Sequence, residues 1–165
     1  MAIADSILME MDMEEKATQR VLERIPENKL AWKPHPKAYS LGQLAMHIAI
    51  AQGRVATAAV DDVHEFAPTA PPEPESRQEI MDTFSASTAT AKKIVKSFDD
   101  ARMMSMWTLK RNGKVIMSVP RVGFLRAIML NHIYHHRGQL SVYIKLLDVP
   151  VPSIYGPSAD ENPFA

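Results

Sequence analysis

Apolar residues recur at three- and four-residue intervals along most of this chain, the period of an amphipathic helix. The spacing predicts a first helix from about Asp5 to Glu23, with Ile7, Met11, Thr18, Val21, Leu22 and Ile25 turned inward and Pro26 setting its limit. Leu30 to Tyr39 is a connector that Pro34 and Pro36 hold extended, with Trp32 as its one large apolar anchor. Ser40-Leu41-Gly42-Gln43 reads as a capping box, and the helix it starts carries the stripe Leu44, Ile48, Ala51, Val55 and Ala58 to about Val60. Prolines crowd the stretch from Phe66 to Pro74, which excludes helix and central strand there. Ser76-Arg77-Gln78-Glu79 repeats the capping pattern and opens a third helix through Ile80, Phe84, Ala91, Ile94, Val95 and Phe98 to near Asp99.

Between Met106 and Val119 the pattern changes. Trp107-Thr108-Leu109 and Val115-Ile116-Met117 flank Asn112-Gly113, the dipeptide that best tolerates the positive φ values of a tight hairpin turn. Pro120, with Ser118 as its cap candidate, leads into a fourth helix to about Leu147, and a tail holding Pro150, Pro152, Pro157 and Pro163 is extended. No internal repeat is present. The expected fold is all-α: a four-helix bundle in one domain spanning residues 1–165, with a long crossover connection and a small β-hairpin before the last helix.

Composition narrows the function. Nineteen Lys and Arg against nineteen Asp and Glu leave a formal charge of +0, so no basic field exists to neutralise a phosphate backbone, and nucleic acid is not an expected partner. With no cysteine, disulfides, thiolate zinc sites and cysteine nucleophiles are excluded together. The start, Met1-Ala2-Ile3-Ala4-Asp5, lacks the character of a signal peptide, and no apolar run reaches the roughly 20 residues of a membrane span. A cytoplasmic location without membrane partners is expected.

Candidate chemistry lies in the histidines. On a helix, His132 and His136 are about 40° apart and project from one face one turn apart, a face they share with Leu125, Met129, Gln139 and Tyr143 and which is expected to be the buried one. By the same geometry His135 falls to the side and Arg137 points away. His47 stands in the apolar stripe of the second helix. Three neutral imidazoles converging from two helices suit a divalent metal with an open position for water or substrate; zinc, nickel, iron and manganese all accept such ligands. Two partly buried histidines bonded to backbone or water give the same spacing, and both readings stand at this level.

Other site types fall away. The Glu-x-x-His pairs of a ferritin-like di-iron centre are missing, and Asp61-Asp62-Val63-His64 reads as a solvated helix end. His64-Glu65 is not followed by a second histidine at metalloprotease spacing. There is no Gly-x-Ser-x-Gly elbow, phosphate-cradling loop or dinucleotide fingerprint. The eleven methionines read as adaptable core filler.

Three segments carry a family resemblance: Trp32-Lys33-Pro34 with Ser40-Leu41-Gly42-Gln43-Leu44-Ala45-Met46-His47-Ile48, the run Asn131-His132-Ile133-Tyr134-His135-His136-Arg137-Gly138-Gln139-Leu140, and Val151-Pro152-Ser153-Ile154-Tyr155-Gly156-Pro157-Ser158-Ala159-Asp160-Glu161. Together they resemble the DinB family of bacterial proteins, the His-His-Arg-Gly-Gln-Leu run being the most specific part. The resemblance implies a four-helix bundle of up-down-down-up connectivity and a three-histidine divalent-metal site with His47, His132 and His136 as ligands. Relatives in the wider superfamily include metal-dependent transferases that use low-molecular-weight thiols such as bacillithiol or mycothiol, and many are dimers. The expected activity is therefore activation of a thiol or water for attack on a small electrophile, as an S-transferase or a hydrolase. Gln139, Tyr143 and Trp32 are the candidate substrate contacts, and His135 is a candidate acid or base. The alternative is a non-catalytic metal- or ligand-binding helical dimer.

Overall fold

A computed structural model of the chain describes residues 1–164. Three long helices come first: α1 (Ile3–Leu22), α2 (Leu41–Ala58) and α3 (Arg77–Lys96). Their ends are satisfied as the pattern requires. Ser40 and Gln43 form a reciprocal capping box, the Ser40 hydroxyl accepting from the Gln43 N–H at 3.0 Å and the Gln43 side chain accepting from the Ser40 N–H at 3.1 Å. The connector supplies the next acceptors, with Leu41 N–H donating to Trp32 O at 2.8 Å and Gly42 N–H to Leu30 O at 2.9 Å. This pins Trp32 to the start of α2. At α3 only half of the expected box forms: Ser76 accepts from Glu79 N–H, but the Glu79 carboxylate turns to the Glu75 N–H.

Helices α2 and α3 run in the same sense, since Gly42 meets Pro74 just before α3 and Gly53 meets Ser87 within it. A Cβ on Gly53 would lie 2.9 Å from Ser87 Oγ and 3.1 Å from Ser87 O, so this crossing requires glycine. Parallel neighbours need a long return connection, and the proline-rich stretch provides it. Within that stretch Pro71 and Pro74 are buried, and Glu73 accepts from the Ser40 hydroxyl at 2.8 Å.

The all-α expectation is corrected by a three-stranded sheet of order β1-β2-β3, formed by Val63–Glu65, Met106–Arg111 and Lys114–Pro120. β2 and β3 are the expected hairpin, closed by Asn112 at φ 52° and Gly113 at φ 73°. β1 lies in the stretch expected to be a solvated helix end. It pairs parallel with β2, Val63 opposite Thr108, so Asp61-Asp62-Val63-His64 leaves α2 and enters the sheet. A partner some 45 residues away in sequence has no local signature, which is why the spacing could not reveal it. Trp107 anchors the sheet: it is fully buried, stacks on Phe124 at 3.6 Å between centroids, and donates its indole N–H to Ala58 O at 2.9 Å.

The chain then passes through a short helix, α4 (Asp100–Met104), that precedes β2 and caps the Ile3 N–H of α1 through Asp100. After β3 the single fourth helix of the sequence reading becomes three pieces: α5 (Arg121–Phe124), a π-helical segment (Leu125–Leu130) and α6 (Asn131–Leu146). Ser118 is a strand residue, and Pro120 takes the cap position. The wider π turns shift the phase of the helix, so the face of Leu125 and Met129 does not continue into that of His132 and His136. On α6 the buried residues are Ile133, Arg137, Leu140 and Ile144. Arg137, expected to point away, is inside; Gln139 is exposed, and His132 and His136 lie at the edge of the core.

Candidate metal centre

Local structure brings His47, His132 and His136 together. His47 sits two turns into α2 on the side that also carries half-buried Ile50 and exposed Arg54, away from the packed stripe. His132 and His136 stand one turn apart on α6, which packs against α2. One ring nitrogen from each of the three lies within 4.8 Å of the others. Ring centroids are 5.0 Å apart for His47 and His132, 4.5 Å for His47 and His136, and 4.3 Å for His132 and His136. Among the described residues no carboxylate joins this cluster.

The electrostatics favour the ligating form. Burial first, and then the neighbouring His136, His132 and Arg54, lower the His47 pKa to about 4. Burial followed by His136 and His135 does the same for His132, again to about 4. His136 is lowered by burial, opposed by a hydrogen bond to Gln139. All three imidazoles are thus neutral near pH 7, with a lone pair each.

The donor set fits a divalent transition metal. His47 Nε2 and His132 Nε2 are 2.8 Å apart, the separation of one hydrogen bond. Two nitrogens at about 2.0–2.1 Å from a tetrahedral ion would stand about 3.3 Å from each other, an adjustment within side-chain reach. His136 Nδ1 donates to Gln139 Oε1 at 2.7 Å, which leaves Nε2 as its free lone pair and reproduces the outer hydrogen bond that orients metal-bound histidines. Imidazole nitrogens are borderline in softness, so zinc, nickel, iron and manganese all remain suited.

Of the candidate substrate contacts, Gln139 stands beside the triad, where its Oε1 accepts from His136 Nδ1. Tyr143, two turns beyond His136 on the same face, meets Trp32 edge-on at 5.8 Å and donates to Tyr39 O at 3.5 Å. Trp32 therefore approaches the centre by way of Tyr143. His135 is exposed and lies 4.9 Å from the His136 ring. Two neighbours were not foreseen: Tyr39, tilted over His47 at 6.0 Å, and Arg54, whose charge reaches His47. The seven-residue interval from His47 to Arg54 was a legible signal, because it returns a helix to the same face.

Comparison with known proteins agrees with this architecture. A family model described as the DinB superfamily matches residues 10–140. YrdA of Bacillus subtilis strain 168, an uncharacterized protein, is 28% identical over 158 residues, covering 95% of this chain and 90% of its own. Among solved structures, a DinB-like protein from Bacillus cereus ATCC 10987 superposes with a TM-score of 0.74 at 22% identity, over 92% of this chain and 97% of that one. A second, the DinB-like protein YjoA of Bacillus subtilis, gives 0.68 at 16% identity, over 90% and 97%. At these identities the structures speak to the fold alone.

Proposed function

Since the chain belongs to the DinB superfamily, we propose that His47, His132 and His136 hold a divalent metal ion, zinc or nickel first and iron or manganese next, in a site that serves thiol transfer. In this reading residues 1–165 form one domain whose bundle is α1, α2, α3 and α6 with up-down-down-up connectivity, and the reaction is transfer of a low-molecular-weight thiol to a small electrophile. The single observation that carries it is the convergence of three neutral, half-buried imidazoles on one point with no countercharge among them.

When bound, the ion supplies a Lewis acid that lowers the pKa of a thiol or water beside it. The protein's own groups do the rest. Burial keeps the imidazoles unprotonated at neutral pH, so the ligand lone pairs are present before any ion arrives. Gln139 holds the His136 ring with Nε2 turned to its partners. Tyr39, Tyr143 and Trp32 form an aromatic rim on one side of the centre. The cluster contains no carboxylate, and hydrolysis needs a base to take the proton of water, whereas a thiol ionises more readily. That difference favours the S-transferase over the hydrolase.

The lack of a carboxylate in the cluster also suits a non-catalytic metal- or ligand-binding dimer. Elemental analysis of protein purified without an affinity tag, beside a His132→Ala variant, tests the site: about one transition metal per chain, absent from the variant, is the expected result. Incubation of the loaded protein with bacillithiol, mycothiol or glutathione and a model electrophile then separates the two functions. No turnover with any of the thiols leaves the non-catalytic reading.

A further inference from the structure

The seam between α2 and α3 opens into a groove of about 800 Å³ that begins at Ile50, one helical turn past His47. It lies on the histidine side of α2. Arg54 follows His47 by seven residues, so its side chain leaves the helix about 20° from the direction of His47 and about 10 Å further along the axis. Arg54 is exposed, and among the described residues no ion pair engages its guanidinium. The buried arginines differ sharply: Arg121 donates to Ala59 O, Asp61 O and the Asp62 carboxylate, and Arg137 pairs with Glu14. A guanidinium with its donors unused on the wall of a groove is an open anion receptor.

The opposite wall adds further donors. Ser87 Oγ accepts the Gly53 N–H at 2.9 Å through one of its two lone pairs, and its hydroxyl hydrogen is left to donate. The hydroxyls of Thr57 and Thr83 line the same groove and engage no partner among the described residues. Asp61 stands at the far end, where its carboxylate disfavours an anion, so negative charge is best placed at the Arg54 end, toward the histidines. The lining holds one guanidinium, Arg54, one carboxylate, Asp61, and the imidazole of His64 near that carboxylate in sequence. A single guanidinium at the histidine end matches a monoanion better than a phosphate dianion, and its bidentate fork matches a carboxylate.

We propose that this groove is the subsite for a carboxylate of an elongated small molecule, held by Arg54 with the hydroxyls of Ser87, Thr57 and Thr83, while the molecule's reacting end lies at the histidine triad. The assignment rests on the reading of that triad as the reacting centre. It makes the carboxylate-bearing thiols or their acidic acceptors the class of substrate, and it gives the protein a means of rejecting uncharged molecules of the same length.

S-methylglutathione tests it, because the capped sulfur removes thiolate ligation and leaves both carboxylates. Titration into 15N-labelled protein is expected to move the amide signals of Gly53, Arg54 and Ser87. The dimethyl ester, which lacks both carboxylate charges, and the Arg54→Gln variant are each expected to weaken binding about tenfold or more, with Arg54→Lys intermediate. Arg54 is exposed, so unchanged circular dichroism and metal content are expected in these variants. Ester and acid binding alike, or Arg54→Gln binding like the unaltered protein, overturns the proposal. Metal uptake without binding that depends on Arg54 overturns the subsite alone. Binding through Arg54 in a protein that takes up no metal supports the subsite and overturns the metal reading.

Discussion

Helix α6 carries two polar clusters on neighbouring faces, and they are satisfied in opposite ways. On one face Arg137, 2% exposed, pairs with Glu14 at 2.6 Å, donates to Thr18 Oγ1 at 3.1 Å and to Tyr155, and lies over the Tyr134 and Tyr155 rings. Tyr155 in turn donates to Glu14 at 2.8 Å. Charge meets charge, both terminal nitrogens of the guanidinium find acceptors, and the Tyr134 and Tyr155 hydroxyls donate to Glu10 and Glu14. On the other face His132 and His136 meet His47 of α2, and among the described residues the only side-chain hydrogen bonds of the three rings join His47 to His132 and His136 to Gln139. The first cluster is complete without any added group and ties the C-terminal tail to α1. The second has three lone pairs and no cation, the condition of a site built for something that arrives from outside.

Breaking the complete cluster has the largest expected effect on stability. Arg137→Ala leaves Glu14 buried without its partner and removes the anchor of Tyr155, so unfolding free energy is expected to fall by about 3–5 kcal/mol, read from denaturant melts. His132→Ala under the same melts, in metal-free protein, is expected to cost far less, because no charge is orphaned. A loss from His132→Ala as large as that from Arg137→Ala would erase the distinction between the clusters.

The two faces also differ in how readable they were. His132 and His136 declare themselves by a four-residue interval, and the Ser40 capping box and Asn112-Gly113 turn are equally local, so the sequence places them well. Arg137 is buried against the expectation from helical spacing for two reasons. Its partner Glu14 is 123 positions away, and the π-helical turns of Leu125–Leu130 rotate α6 relative to the apolar residues that precede it. β1 carries no local signal for a related reason, since Val63 pairs with Thr108, 45 positions away. What depends on neighbours within one turn was legible, and what depends on pairing across the fold was not.

Gln139 offers a sharper probe of the open cluster. Its carbonyl fixes the His136 ring from outside the triad, and Gln139→Ala is expected to weaken metal affinity by about 10–100-fold while leaving the metal-free fold unchanged. Competition with a chelator measures it. Equal affinity in the variant would show that the helix alone orients His136.

Acid should act on the same face, more weakly. His47 and His132 have pKa values of about 4 in the folded protein against 6.5 in the unfolded chain. Between those values the unfolded state takes up protons that the native state refuses, so stability is fully present above about pH 6.5 and declines as pH falls toward 4. The rings are half exposed, and solvent screening holds the expected loss to the order of 1 kcal/mol. Melts of metal-free protein at pH 7.5 and 5 are expected to show it, and a His47→Ala, His132→Ala double variant is expected to flatten it.

The smallest effect is expected at the rim. Tyr143 donates to Tyr39 O at 3.5 Å, the outer limit of a hydrogen bond, while its ring packs edge-on against Trp32. Tyr143→Phe retains the ring and gives up only the hydroxyl, so stability is expected to change by less than about 0.5 kcal/mol. Burial raises the Tyr143 pKa, which keeps the hydroxyl protonated and able to donate at neutral pH. Any fall in turnover with thiol and electrophile then reports a contact to substrate, because neither folding nor the three imidazoles are disturbed. A variant with full turnover and full stability returns Tyr143 to the role of packing for Trp32, and the open face of α6 would end at Gln139.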